Sequence, residues 1–229
     1  MGDTKKLSII FLISTFILTW MIWSIGFFTD NEIQNFIITI GTFVPSIVGI
    51  VILYFLSKSQ FKALLKSAIN FKIGIKNYAF IFFTIPIISV LSYIVMIAFK
   101  LDVPDISYTL LEIPIVFIVI MFTMGPVGEE FGWRGFLLPR LRQKYSIFLS
   151  SLIIALIWSL WHLPLFFLDG ALQHSFVELY GFIVAFSGYM VYTIMLSLFI
   201  KIIYQRSKGN LLSSIRLWKT CVYSVIIAT

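Results

Sequence analysis

Long apolar runs separated by short polar connections organise the whole chain. They lie near residues 7–28, 36–56, 78–99, 110–127, 147–168 and 178–203, with a weaker seventh at 211–229. A helix needs about 20 apolar residues to cross the hydrocarbon core. The pattern therefore predicts an all-α, polytopic transmembrane helical bundle of about seven helices, within a range of about six to eight. No internal repeat, heptad pattern or low-complexity tract interrupts it, and no connection is large enough for a second soluble domain. The expectation is one integral-membrane domain over residues 1–229. Pro45, Pro86, Pro114 and Pro126 fall inside or at the ends of apolar runs. Lipid-embedded helices tolerate this when the freed carbonyls are satisfied elsewhere.

Composition strengthens the reading. Hydrophobic residues make up 60% of the 229 positions and charged residues only 12%, against about 25% charged in a typical soluble domain. A soluble fold of this size leaves too much surface wetted to hide that much apolar area. A cytosolic enzyme, a nucleic-acid binder of the usual kind, a disordered tail and a secreted disulfide scaffold are thereby excluded. The net charge of +7 fits basic loops facing anionic lipid, so membrane lipids and not nucleic acid are the expected partners. Cys221 is the single cysteine, which leaves no internal disulfide and no cysteine-based metal site. The apolar stretch after Lys6 is longer than the about 7–15 residues of a signal-peptide core, and it reads as a retained first span. Lys6 stands where a myristoylation signal needs Ser or Thr.

The basic residues predict the orientation. Lys5 and Lys6 precede the first span, and Lys58, Lys62, Lys66, Lys72 and Lys76 follow the second. Arg140, Arg142 and Lys144 follow the fourth; Lys201, Arg206 and Lys208 follow the sixth. The alternate connections carry Asp30, Glu32, Asp102, Asp105, Glu112, Asp169 and Glu178, with Lys100 as their base. By the positive-inside rule this describes a multi-pass protein of the cell membrane with a cytoplasmic N-terminus. Within 57–77, Lys residues alternate with Phe61, Leu64, Leu65, Ile69 and Phe71, the pattern of a basic amphipathic helix at the headgroups. A solvated loop is the plainer reading of the same residues.

Candidate chemistry sits in Gly125-Pro126-Val127-Gly128-Glu129-Glu130-Phe131-Gly132-Trp133-Arg134-Gly135. If the helix runs on through Pro126, Glu129 lies roughly 16 Å inside the boundary marked by Arg140. Ionisable groups at that depth cost at least about 2.5–3.5 kcal/mol each and usually face a protein-lined cavity. Glu130 and Arg134 are four residues apart in the favourable acid-before-base order. Glu129 points about 100° away from Glu130 on the same helix and is left for another helix, suited to general base–acid work. Gly128, Gly132 and Gly135 let a neighbouring helix, a peptide or water come close. The same three charges also fit a buried cluster that merely locks helices together.

The fifth span carries Trp158-Ser159-Leu160-Trp161-His162-Leu163-Pro164. A start near Ser150 puts His162 about 18 Å deep, close to Glu129. An imidazole is a suitable partner for a carboxylate that activates water, although a lone membrane histidine is as often a packing residue. His174 reads as a solvated residue of the outer loop. Zinc is the minor reading, because a catalytic site takes three protein ligands, typically His-rich. No cofactor is expected.

Glu-Glu-x-x-x-Arg on one span, followed by an aromatic-x-x-x-His on the next, resembles the CPBP family. That family comprises the CAAX-type prenyl-protein proteases and the Abi or bacteriocin-immunity proteins. The first motif is Glu129, Glu130 and Arg134; the second runs from Trp158 to His162, with Trp where the family more often has Phe. The resemblance is specific over about 125–168 and rests on hydropathy elsewhere. It implies an intramembrane endopeptidase in which Glu129 activates water with His162 while Glu130 and Arg134 support the site. Its implied partners are peptides or prenylated protein substrates, bacteriocin-related peptides included. The chain departs from the third family motif, His-x-x-x-Asn. Gly209-Asn210-Leu211-Leu212-Ser213-Ser214-Ile215 looks like its lead-in, but Lys219 and Tyr223, offset by one residue, hold the nearest positions. A non-catalytic membrane immunity or scaffold protein is therefore the alternative to the protease. A transporter using Glu129 and His162 as a proton relay ranks third, since neither inverted repeats nor paired broken helices are visible.

Overall fold

The computed structural model describes residues 2–80 and 126–212, with the isolated positions 83, 94, 97, 98, 214 and 215. The expected spans at 78–99 and 110–127 lie largely outside the described residues, as does most of 211–229 with Lys219, Cys221 and Tyr223. The described residues are predominantly helical, without strands, as an all-α membrane bundle requires.

Helix α1 (Gly2–Ile25) with a 3₁₀ turn (Gly26–Phe28) forms the first expected span. The second divides at Phe43 into α2 (Asn31–Thr42) and α3 (Val44–Leu56). Pro45 cannot donate to the carbonyl four residues earlier and its ring crowds that position, so a continuous helix is broken one turn upstream. Phe43 N–H falls back on Ile40 O at 3.1 Å instead. Asp30 caps α2 by accepting from Ile33 N at 3.0 Å, satisfying one of the orphan donors of the first turn. Ser57 caps α4 (Lys58–Ala68), the amphipathic segment expected from the sequence. Its Lys58, Lys62 and Lys66 are exposed and Leu64 is buried against the bundle.

The charged motif begins on α5 (Pro126–Glu130) and continues through a π-helical turn (Phe131–Leu137) into α6 (Leu138–Leu141). Leu138 N–H reaches back five residues to Trp133 O. Pro139 explains the widening: it offers no N–H to Gly135 O, and its ring would press on that carbonyl in a regular α-turn. Glycines bring this segment against α3. A side chain at Gly128 would meet Thr42 O at 2.7 Å, and one at Gly132 would overlap the backbone of Pro45. Ser46 Oγ donates across the same seam to Val127 O at 2.8 Å.

Helix α7 (Ile147–Trp161) is capped by Ser146 and ends in a 3₁₀ turn (Leu163–Phe167) that contains Pro164. The connection expected to be an outer loop contains a short helix, α8 (Leu172–Tyr180). The sixth span starts later than the pattern indicated, as α9 (Phe182–Arg206). Gly181, at φ +77°, makes the break between them, a conformation that only glycine adopts without strain. Helix α9 packs along α7 through small polar groups, with Ser197 Oγ donating to Ser151 O at 2.8 Å and the Ser159 and Thr193 hydroxyls paired.

Four stretches, Asp3–Phe28, Glu32–Leu56, Ile147–Phe167 and Phe182–Arg206, are long and apolar enough to cross a membrane. Ile13, Ile17 and Met21 of α1 are more than half exposed, an apolar exterior that suits lipid and not water. This is a membrane protein. Its two ends differ in charge. Thr4 Oγ1 donates to Gln143 Oε1 at 3.0 Å, Leu211 N to Ser67 Oγ at 2.8 Å and Arg206 Nε to Asn77 Oδ1 at 3.2 Å. These bonds gather the four lysine- and arginine-bearing connections at one end. At the other, Gln34 donates to Gly26 O at 2.9 Å and accepts from Gly170 N, among connections that carry Asp30, Glu32 and Asp169.

The glycine seam is testable. Gly132→Ala should cost about 1–3 kcal/mol, as overpacking of a rigid backbone contact does, and lower Tm in detergent by about 2–4 °C per kcal/mol. Gly188→Ala, where no described atom lies within 4 Å of the added carbon, should leave Tm unchanged or slightly raised.

Candidate active site

Glu129, Glu130, Arg134 and His162 are 1%, 0%, 2% and 5% exposed. All four ionisable groups are thus inside the bundle, at the junction of α5, the π turn, α7 and α9. Charged groups so placed need partners, or desolvation would drive the segment out. Glu130 Oε1 and Arg134 Nη1 form the ion pair expected from their four-residue spacing, at 2.5 Å. Arg134 Nη2 also donates to Ser197 Oγ at 3.3 Å, and its guanidinium stands 5.0 Å from the Trp158 ring centroid. The cation is therefore tied to α9 and α7 as well as to its own turn.

Glu129 takes a different set of partners. Trp133 Nε1 donates to Glu129 Oε2 at 3.1 Å, and Trp158 Nε1, from α7, donates to the same oxygen. Two neutral donors on one oxygen hold the carboxylate in a single orientation. Oε1 is left uncommitted among the described residues. On α7, His162 Nδ1 lies 2.8 Å from Trp158 O. A carbonyl only accepts, so Nδ1 carries the proton and Nε2 of the neutral ring is the acceptor. Trp158 thus binds the acid through its indole and the imidazole through its own carbonyl.

Aromatic rings close around the pair. The Trp161 and Tyr189 ring centroids lie 4.6 and 5.3 Å from that of His162. Tyr189, on α9, also packs its ring against Phe166 and Tyr192. The described cavity at the basic end, of about 470 Å³, is lined by Arg134 but by neither Glu129 nor His162. The pair is therefore joined through Trp158 and not by a shared wall of that cavity. His174 lies on α8, with Nε2 3.7 Å from Asp169 Oδ1. Among the described residues no group of three or more His, Cys, Asp or Glu is arranged to hold a metal ion.

Sequence reasoning missed the roles of three residues. Trp133 stands four residues after Glu129, and Trp158 four before His162, so helical spacing alone placed each on its neighbour's face. Tyr189 carried no local signal, because its approach depends on how α9 rotates against α7.

The fold and these buried groups define a helical membrane protein with an acid and an imidazole held together in its interior. Residues 111–218, which include all four site residues and Tyr189, match the family described as Type II CAAX prenyl endopeptidase Rce1-like. The chain is also similar to CAAX prenyl protease 2 of Methanococcus maripaludis, 28% identical over 182 residues that cover 72% of this chain. The match spans 65% of that relative's length. Both likenesses are to CAAX-type prenyl proteases.

The ion pair has a measurable signature. Arg134→Met strands the Glu130 carboxylate in the interior and should cost about 3–5 kcal/mol, whereas Glu130→Leu with Arg134→Met should recover most of that loss. Thermal unfolding of the two variants and the parent protein reads the difference.

Proposed function

We propose that this protein is an intramembrane endopeptidase of the CAAX prenyl-protease type. Glu129 is the base that activates water and His162 is its partner. The substrates are peptides or prenylated protein tails, cut at the cytoplasmic face, on which the N-terminus also lies. The carrying observation is Trp158, which fixes Glu129 Oε2 with its indole N–H and His162 Nδ1 with its carbonyl. Glu129 Oε1 and His162 Nε2 then remain as the two acceptors for one water molecule. The similarity to a CAAX prenyl protease and the concentration of basic connections at one end support the substrate class and the sidedness.

Hydrolysis follows from these groups. Glu129 takes a proton from the water while the water oxygen attacks the scissile carbonyl carbon; His162 Nε2 orients that water. The carbonyl π electrons move to oxygen and form a tetrahedral oxyanion. Collapse breaks the C–N bond, and the proton held by Glu129 passes to the departing amine. Tyr189, whose ring packs against that of His162, carries a hydroxyl suited to stabilise the oxyanion. Glu130 and Arg134 position the turn that carries Glu129. An immunity or scaffold role without turnover is the second reading, favoured by Lys219 and Tyr223 at the places nearest the third motif.

Cleavage of a farnesylated peptide by the purified chain in liposomes, with and without chelator, tests the proposal. Glu129→Gln should slow turnover by about 10²-fold or more while helicity and Tm persist; undiminished cleavage rejects Glu129 as the base. Tyr189→Phe should lower kcat by about 10²-fold with little change in KM, the pattern of a donor used only in the transition state. A parent protein that binds the peptide but never cleaves it supports the scaffold reading.

A further inference from the structure

The cavity at the basic end is lined by neither Glu129 nor His162 and meets the proposed site through Arg134. Its volume is about 470 Å³, and it lies between the start of α1, the end of α3, α4, the π turn, α6 and the end of α9. Leu7, Leu53, Leu56 and Leu64 supply apolar walls, whereas Thr4, Gln60, Ser67 and Gln143 supply hydrogen-bonding groups. Arg140 lines it while only 9% exposed.

Arg140 is unusual among the buried charges. Its Nη1 donates to Phe136 O at 2.8 Å and its guanidinium stacks 3.6 Å from the Phe136 ring centroid. Neither contact brings a negative charge. Among the described residues no carboxylate lies within ion-pairing distance of Arg140. Asp3, beside Thr4 at the rim, is exposed and makes no ion pair with it. A guanidinium has five N–H donors in a planar fork, matched to two oxygens of one anion. A buried one with donors to spare and no counter-charge among the described residues is suited to bind an anion. Helix α4 also carries Lys62 and Lys66, both exposed and outside the cavity lining. Lys5 and Lys6 of α1 line a separate depression with Ile9 and Ile10.

The apolar walls narrow the choice of anion. A small inorganic ion gains nothing from four leucines, whereas an amphiphile places its phosphate on the arginine and its chains along the leucines. The site stands where the apolar helices give way to the basic connections, the level of lipid headgroups. We infer that this cavity binds the phosphate of an anionic phospholipid, with Arg140 as its principal ligand. The inference uses none of Glu129, Glu130 or His162; Arg134 also lines the cavity, with its charge already paired to Glu130.

The test uses the full chain purified in a neutral detergent, titrated with phosphatidylglycerol, phosphatidylcholine or inorganic phosphate while Tm is recorded. Phosphatidylglycerol should raise Tm saturably, by about 5 °C near saturation, and phosphatidylcholine by much less. Arg140→Gln should weaken the apparent lipid affinity about tenfold or more with an unchanged lipid-free Tm. If Arg140→Gln fails to fold, Ala63→Trp fills the same cavity from α4 and should abolish the saturable shift. Equal shifts with both lipids, or a shift that survives the cavity-filling substitution, overturn the inference. A full response to inorganic phosphate alone assigns the site to a free anion and overturns the lipid.

Discussion

Placing two carboxylates, a guanidinium and an imidazole where water is scarce is the constraint that the rest of this structure answers. Each charge removed from water carries a penalty of several kcal/mol unless partners replace its hydration. The chain meets that penalty in two ways. Glu130 and Arg134 neutralise one another within a single turn. Glu129 is instead held by neutral indole donors from two different helices. The first arrangement cancels charge and braces the turn. The second leaves an acid that is oriented but, among the described residues, not neutralised by a direct ion pair.

The helix contacts follow from that demand. Glycine at positions 128 and 132 lets α5 lie directly on the backbone at the end of α2 and the π turn on that of α3, so the acidic segment is held by main chain and not by adaptable side chains. On the other side, Ser197 links Arg134 to α9 and then to Ser151 of α7. Acid, cation and imidazole are therefore referenced to one rigid junction.

Much of this was legible in the residues themselves, for reasons of range. The ion pair is local, so a spacing of four revealed it. The spans and the segregation of charge arise from composition over about 20 residues at a time, and the four long apolar stretches carry that pattern into the structure. What the sequence concealed was tertiary or strained. The break at Phe43 depends on how Pro45 is accommodated, and α8 occupies a connection whose polar residues read equally well as loop. The two indoles converge on a single oxygen only once α7 lies beside α5. No pattern along one helix encodes that meeting.

The π turn has a consequence for how this protein tolerates change. A wide turn holds one residue more than the α-helical path between the same endpoints. Each residue advances a helix by about 100°. Excising one position between Phe131 and Leu137 would let the turn relax to regular α geometry, with little loss of helix length. The two acids would keep their direction relative to the segment at Pro139, because the endpoints are shared, whereas the same excision from a regular α-turn would rotate them by about 100°. The segment is thus a phase-preserving element: the wide turn takes up the extra residue, and the compass direction of the buried acids is kept.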